Sequence, residues 1–184
     1  YDENGRLTQM TNALGFSTSF EYDAMDRVVK VTDAKGNATT YTYDAVGNVS
    51  TETNAKGVTT SYVYDANYNL TSLTDAAGTS TYLYDAMDRV VGQTDRRGNT
   101  QWFRYDAIGR ITAVRDKNGN LTEYIYDGNG NIVKTIDALG TEAVFTYNKN
   151  DQLISMDLHR MDTVNNVDSH EITLYEYDGR NLVT

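Results

Sequence analysis

Residues 22–44 read YDAMDRVVKVTDAKGNATTYTYD, and this phrase decides the fold because it returns throughout the chain. Tyr-Asp pairs stand at Tyr1-Asp2, Tyr22-Asp23, Tyr43-Asp44, Tyr64-Asp65, Tyr84-Asp85, Tyr105-Asp106, Tyr126-Asp127 and Tyr177-Asp178, with a Tyr147-Asn148 variant before the last. Successive spacings are 21, 21, 21, 20, 21, 21, 21 and 30 residues. A glycine follows fourteen residues after each of the first seven tyrosines, at Gly15, Gly36, Gly57, Gly78, Gly98, Gly119 and Gly140. The one-residue deletion therefore falls between Gly78 and Tyr84. A fixed period of this kind marks a repeat architecture.

Each unit holds two turn signals. The first is Asp-x-x-Gly, with Asp or Asn sometimes replacing the glycine, as in Asp44-Ala45-Val46-Gly47; the second is Asp33-Ala34-Lys35-Gly36 and its copies. A leading Asp can accept hydrogen bonds from the backbone beyond it, and Gly, Asn or Asp tolerates the left-handed conformation that closes a type I turn with a bulge. Tyr68 takes that position in one copy, where a turn of different type is expected. The intervening segments are about seven residues long and rich in Val, Thr and Tyr, as strands are. No segment competes as a helix.

Residues two apart share a face of a strand. Aromatic pairs two apart recur as Phe20/Tyr22, Tyr41/Tyr43, Tyr62/Tyr64, Tyr82/Tyr84, Phe103/Tyr105, Tyr124/Tyr126, Phe145/Tyr147 and Tyr175/Tyr177. An aliphatic residue follows six after each Tyr: Leu7, Val28, Val49, Leu70, Val90, Ile111, Ile132 and Leu153. Thr40, Thr42, Ser61 and Thr81 stand between or before the aromatics, so the other face is expected to be largely polar. The predicted fold is all-β: a twisted antiparallel hairpin array of sixteen to eighteen strands over residues 1–184, with an elongated hairpin at 153–176. So wide a sheet must curl or be covered, and the chain is expected to be a portion of something larger.

Composition narrows the chemistry. The 184 residues carry 26 acidic and 16 basic side chains, no Cys, no Pro and two His. Thiolate metal sites, disulfides and cysteine nucleophiles are thereby removed, and a net charge of -10 disfavours nucleic acid and anionic lipid. No run approaches the ~20 apolar residues of a membrane span, so no membrane insertion by this segment is expected. Asp127-Gly-Asn129-Gly-Asn131 and Asp116-Lys-Asn118-Gly-Asn120 imitate the start of a calcium loop. They put Ile132 and Leu121 where such a loop needs Gly, and Ala138 and Asp127 where it needs Glu, so turn chemistry is the better reading. The pairs Asp23/Asp26 and Asp85/Asp88 recur in turns and read as caps, not as acid and base. His159 and His170 could face each other across the long hairpin, but two ligands do not make a metal site. No cofactor is expected. The aromatic rows could stack sugars, or line a hollow with phenol hydroxyls turned to an unfolded chain; which face is interior stays open.

These units closely resemble the YD repeats of the Rhs family over essentially all of residues 1–184. The positions carrying the likeness are Tyr22, Asp23, Gly36, Tyr43, Asp44, Gly57, Tyr64, Asp65, Gly78, Tyr84, Asp85, Gly98, Tyr105, Asp106, Gly119, Tyr126, Asp127, Gly140 and Tyr147. The resemblance extends to bacterial polymorphic toxins, the C components of insecticidal toxin complexes, and animal teneurins. It implies a spiralling sheet that closes into a hollow shell; in bacterial members the shell holds a C-terminal toxin polypeptide, and teneurins act in adhesion. The near-identity of residues 22–29 and 84–91 looks bacterial. Bacterial shells also contain an Asp-Pro self-cleavage segment, which a chain without Pro lacks. The implied role is a non-enzymatic wall segment of a secreted or surface-delivered protein. Its partners would be flanking repeats and an enclosed cargo, with self-association possible through edge strands; the alternative is a surface module that binds glycans or a partner protein.

Overall fold

A computed structural model describes residues 1–162 and 167–177. The fold is all-β, and the strands follow one another in chain order as antiparallel neighbours within each of two compact units. The first unit, Tyr1–Gly98, contains β1 (Gln9–Thr11), β2 (Ser17–Tyr22), β3 (Val28–Thr32), β4 (Ala38–Tyr43), β5 (Val49–Thr53), β6 (Thr59–Tyr64), β7 (Leu70–Asp75), β8 (Gly78–Tyr84) and β9 (Val90–Thr94). The second, Asn99–Thr184, contains β10 (Thr100–Tyr105), β11 (Ile111–Arg115), β12 (Leu121–Tyr126), β13 (Ile132–Ile136), β14 (Glu142–Tyr147), β15 (Leu153–Asp162) and β16 (Val167–Leu174).

Both turn signals form the expected hairpin turns. In the β2–β3 connection the Asp23 amide donates to the Arg27 carbonyl at 2.9 Å and the Asp26 amide to the Asp23 carbonyl at 3.2 Å. The fourth residue is left-handed, with φ near 61° at Asp26 and 103° at Gly47. Tyr68 does not change the turn type as its bulk suggests. Its φ is 67°, its amide donates to the Asp65 carbonyl at 3.1 Å, and the Asp65 amide donates to the Asn69 carbonyl at 3.0 Å, as in the other copies. The two reciprocal bonds hold the backbone there despite the Cβ.

The spacing predicts the deletion between Gly78 and Tyr84, but the structure puts it just before Gly78, where a shorter turn absorbs it. Asp75 pairs directly with Gly78, so Ala76-Ala77 alone join β7 to β8, while flanking strand register continues without a slip. This matters because a one-residue slip would turn every aromatic to the other face.

A β-bulge recurs in seven hairpins. Glu21 pairs with Lys30 but Tyr22 with Val28, so Val29 is extra, and the same shift occurs at Tyr43, Tyr64, Tyr84, Tyr105, Tyr126 and Tyr147. Each such residue bends its strand and increases local twist. It also sets the aliphatic residue opposite the Tyr of its own unit.

Within each unit the sheet is a single layer. Among the described residues only Gly92 and Ala113 are buried, and both are small residues overlapped by neighbours along the strand ladder. The aromatic pairs are half-buried throughout, whereas the residue between them is exposed in every copy, from Glu21 to Thr146. That outer face is less polar than expected, since Val63, Leu83, Trp102, Ile125 and Val144 stand exposed on it. The elongated hairpin is present as β15 and β16; its tip at Asn165-Asn166 lies outside the described residues.

Candidate functional site: the contacts between repeats

Turn geometry determines what the Asp of each Tyr-Asp pair can do. Asp23 Oδ1 accepts the amides of Met25 and Arg27 at 2.9 and 3.0 Å, and Oδ2 accepts Arg27 Nε at 2.8 Å. Asp44, Asp65, Asp85, Asp106 and Asp127 make the same set, with Asn48, Asn69, Arg89, Arg110 and Asn131 as the side-chain donors. The Arg27 side-chain bond, followed by the backbone bonds, holds the Asp23 carboxyl below the usual carboxylate range. A carboxylate committed in this way is a cap, and a poor reservoir for a transferable proton. The same bonds occupy the oxygens of Asp116 and Asp127 that a calcium ion would need.

The Tyr reaches across to the preceding repeat. Tyr22 Oη donates to the Leu7 carbonyl at 2.8 Å, Tyr43 to Val28 at 2.6 Å, Tyr84 to Leu70 at 2.8 Å, Tyr126 to Ile111 at 2.7 Å, and Tyr147 to Ile132 at 2.9 Å. Tyr177 repeats the bond to Leu153 at 2.9 Å. Apart from Leu7, the acceptor is each time the aliphatic residue at a bulge. Burial pushes the Tyr84 and Tyr147 phenols up, so they remain protonated donors at neutral pH. Tyr64 is half-buried like the others, and no such bond is found for it among the described residues.

A second connection runs through the residue five after each Tyr. The guanidinium of Arg6 lies 5.0 Å from the ring centroid of Tyr22, Arg27 4.4 Å from Tyr43, and Arg110 4.5 Å from Tyr126. Where the next turn has Asp as its left-handed residue, the same position supplies a donor to it. Arg6 Nη1 reaches Asp26 Oδ1 at 2.8 Å, Asn69 Nδ2 reaches Asp88 at 2.6 Å, and Asn131 Nδ2 reaches Asp151 at 2.8 Å. Asn67 and Asn129 add a bond each to Asp88 and Asp151, at 2.9 Å. These Asp residues were legible as turn formers, but their link to the preceding repeat was not. The signal lay in the sequence: each of the three is preceded, about twenty residues earlier, by Arg6, Asn69 or Asn131.

The glycines of the second turn serve conformation. Gly36, Gly57, Gly98, Gly119 and Gly140 have φ between 76° and 91°, with open space where a Cβ would stand. Gly78 is different, for its Cβ would meet Arg96 at 3.4 Å, and Arg96 pairs with Asp75 beside it.

The two histidines do face each other. His159 and His170 are register partners on β15 and β16, with stacked rings 4.5 Å apart. His159 Nδ1 lies 3.8 Å from Glu142, and His170 Nδ1 3.0 Å from Asp157. Glu142 is in turn bound by Lys134 at 2.6 Å, and this bond leads the effects that hold its carboxyl low. Among the described residues no three His, Cys, Asp or Glu side chains are placed to hold a metal ion. A depression lined by Trp102, Arg104, Ala113 and Arg115 brings together no nucleophile and base.

Comparison with known proteins agrees with this arrangement. The family model described as the teneurin YD-shell matches residues 1–184. The fold is shared with solved structures. "Crystal Structure of TcdB2-TccC3 without hypervariable C-terminal region" superposes with a TM-score of 0.61 at 15% identity, covering 92% of this chain and 10% of that one. "Crystal Structure of TcdB2-TccC3" superposes at 0.57 and 15% identity, covering 100% and 12%. The chain thus spans about a tenth of the length of the structures it matches. No curated protein sequence matches it. With its repeat, its bulged hairpins and its full-length family match, the chain belongs to the teneurin YD-shell family.

Proposed function

We propose that this chain is a non-catalytic wall segment of a YD shell that encloses a toxin or cargo polypeptide, within a large secreted bacterial protein. The observation that carries this reading is where the polar groups of the repeat are spent. The Tyr hydroxyl, the turn Asp and the Arg or Asn after it are engaged within the array, each joining one repeat to itself or to the next. The repeat positions from Tyr22-Asp23 to Tyr147 would then serve to extend a wall, with flanking repeats of a longer chain as immediate partners. A single half-buried aromatic layer also suits a wall that presents one face to an enclosed chain.

Electron microscopy of the longest natural chain containing these residues tests the reading. A hollow, walled particle with density inside is the expected result. A solid or extended array would overturn it. In that event a surface module recognising glycans or a partner protein becomes the better assignment, with binding on a glycan array as its own test.

A further inference from the structure

The hairpins of a meander turn alternately at its two ends, so in the first unit the Tyr-Asp turns share one margin and the second turns share the other. The two margins differ in chemistry. Along the Tyr-Asp margin, four successive turns each expose a large apolar side chain: Met25 at 72%, Val46 at 67%, Tyr68 at 59% and Met87 at 66%. At ordinary strand spacing they recur about every 9.6 Å and form a ridge. Single exposed apolar residues are unremarkable on a surface, but a periodic row of them is a patch. Acidic side chains on this margin outnumber Arg6, Arg27 and Arg89 by more than two to one. On the opposite margin Lys35, Lys56, Arg96 and Arg97 outnumber Asp33, Asp75 and Asp95, and Lys35, Lys56 and Arg97 are exposed at turn tips with Leu14 and Phe16 beside them.

We propose that the Tyr-Asp margin of this chain docks, tip against tip, on the opposite margin of a second copy. One margin is strongly acidic and the other carries a slight basic excess with Lys35, Lys56 and Arg97 at its tips, which favours their mutual approach and disfavours pairing of two acidic margins. Both carry the same repeat distance, so apolar and charged tips stay in step over several turns. A partner without this period would meet only one or two of them. The two surfaces are different, so the contact is heterologous and does not close on two molecules; copies add side by side. It involves hairpin tips, not the end strands, and requires no enclosed cargo, so it stands or falls separately from encapsulation.

Sedimentation velocity of the 184-residue chain over a wide concentration range tests the docking, with circular dichroism to confirm folding. The turn carboxylates are unsuitable targets because they cap the turns. The informative variants are M25S/V46S/M87S on one margin and K35E/K56E on the other. Wild type should gain mass with concentration and lose it at high salt, and each variant should shift to monomer. A monomeric wild type overturns the proposal, as does association that survives either variant. As a check independent of any variant, zero-length cross-linking of mixed light and heavy wild-type copies should join Lys35 or Lys56 to carboxylates of the other margin. Links confined to β1 and β16 would assign self-association to the end strands instead.

Discussion

At the scale of single residues, the Tyr that gives the repeat its signature has two functions that can be separated. Its ring fills the half-buried layer, and its hydroxyl donates to a carbonyl in the preceding repeat. Tyr43→Phe keeps the ring beneath Arg27 and removes only the bond to Val28. A hydrogen bond of this kind contributes about 1 kcal/mol net, and the loss should appear as a lower urea midpoint with unchanged slope. Tyr64→Phe is the matched control, since Tyr64 lacks that bond, and it should change stability by less than about 0.5 kcal/mol. Equal losses at both positions would show that the hydroxyl bond is not what distinguishes them. Both tyrosines looked alike in the sequence, because parity places a ring on a face but says nothing about where its hydroxyl ends.

At the scale of elements, the strands and the turns with their closing left-handed residue were legible, and the extra strand residue opposite each Tyr was not. Asp33-Ala34-Lys35-Gly36 names its own conformation, since Asp caps the turn and Gly takes φ of 82°. Val28-Val29 carries no comparable mark; two β-branched residues suit a bulged or a regular strand equally, and the extra residue appears only when register is known. The outer face was read as polar from its Thr and Ser, and Val63, Leu83 and Ile125 show that alternation is weak where neither face meets a packed second layer. Turn chemistry gives a prediction with opposite signs. Tyr68 holds φ of 67° with a Cβ, so Tyr68→Gly should stabilise by about 1 kcal/mol. Gly36→Ala has open space for its methyl group yet imposes the same backbone strain, and should destabilise by about 1 kcal/mol. Thermal melts of the two variants should move in opposite directions; a destabilised Tyr68→Gly would mean that the ring contributes more than its backbone costs.

At the scale of the whole molecule, a chain with almost no buried residue among those described depends on contacts between neighbouring repeats, and many of these end on a carboxylate. For Asp23, Asp33, Asp85, Asp106, Asp116 and Asp127 the leading effect on the carboxyl is the hydrogen bond from the side chain four residues on, which lowers its pKa below 3.8. The sign follows from proton linkage. Above the unfolded value both states are ionised, and the full contribution of each cap is present. As pH falls below that value the unfolded chain takes up protons first, and the contribution is lost as pH passes through the lower folded value. Each site is solvent-accessible and individually weak, but the repeat places one in turn after turn, so several protons should be taken up together. The β-sheet signal should therefore hold from neutrality to about pH 4 and then fall steeply as the pH drops further, with stability rising with pH across that window. Substituting Asn for Asp33 keeps a capping oxygen while removing the titrating charge, and should make the acid transition shallower. An acid transition of unchanged midpoint and steepness in that variant would show that the turn carboxylates do not set the acid sensitivity.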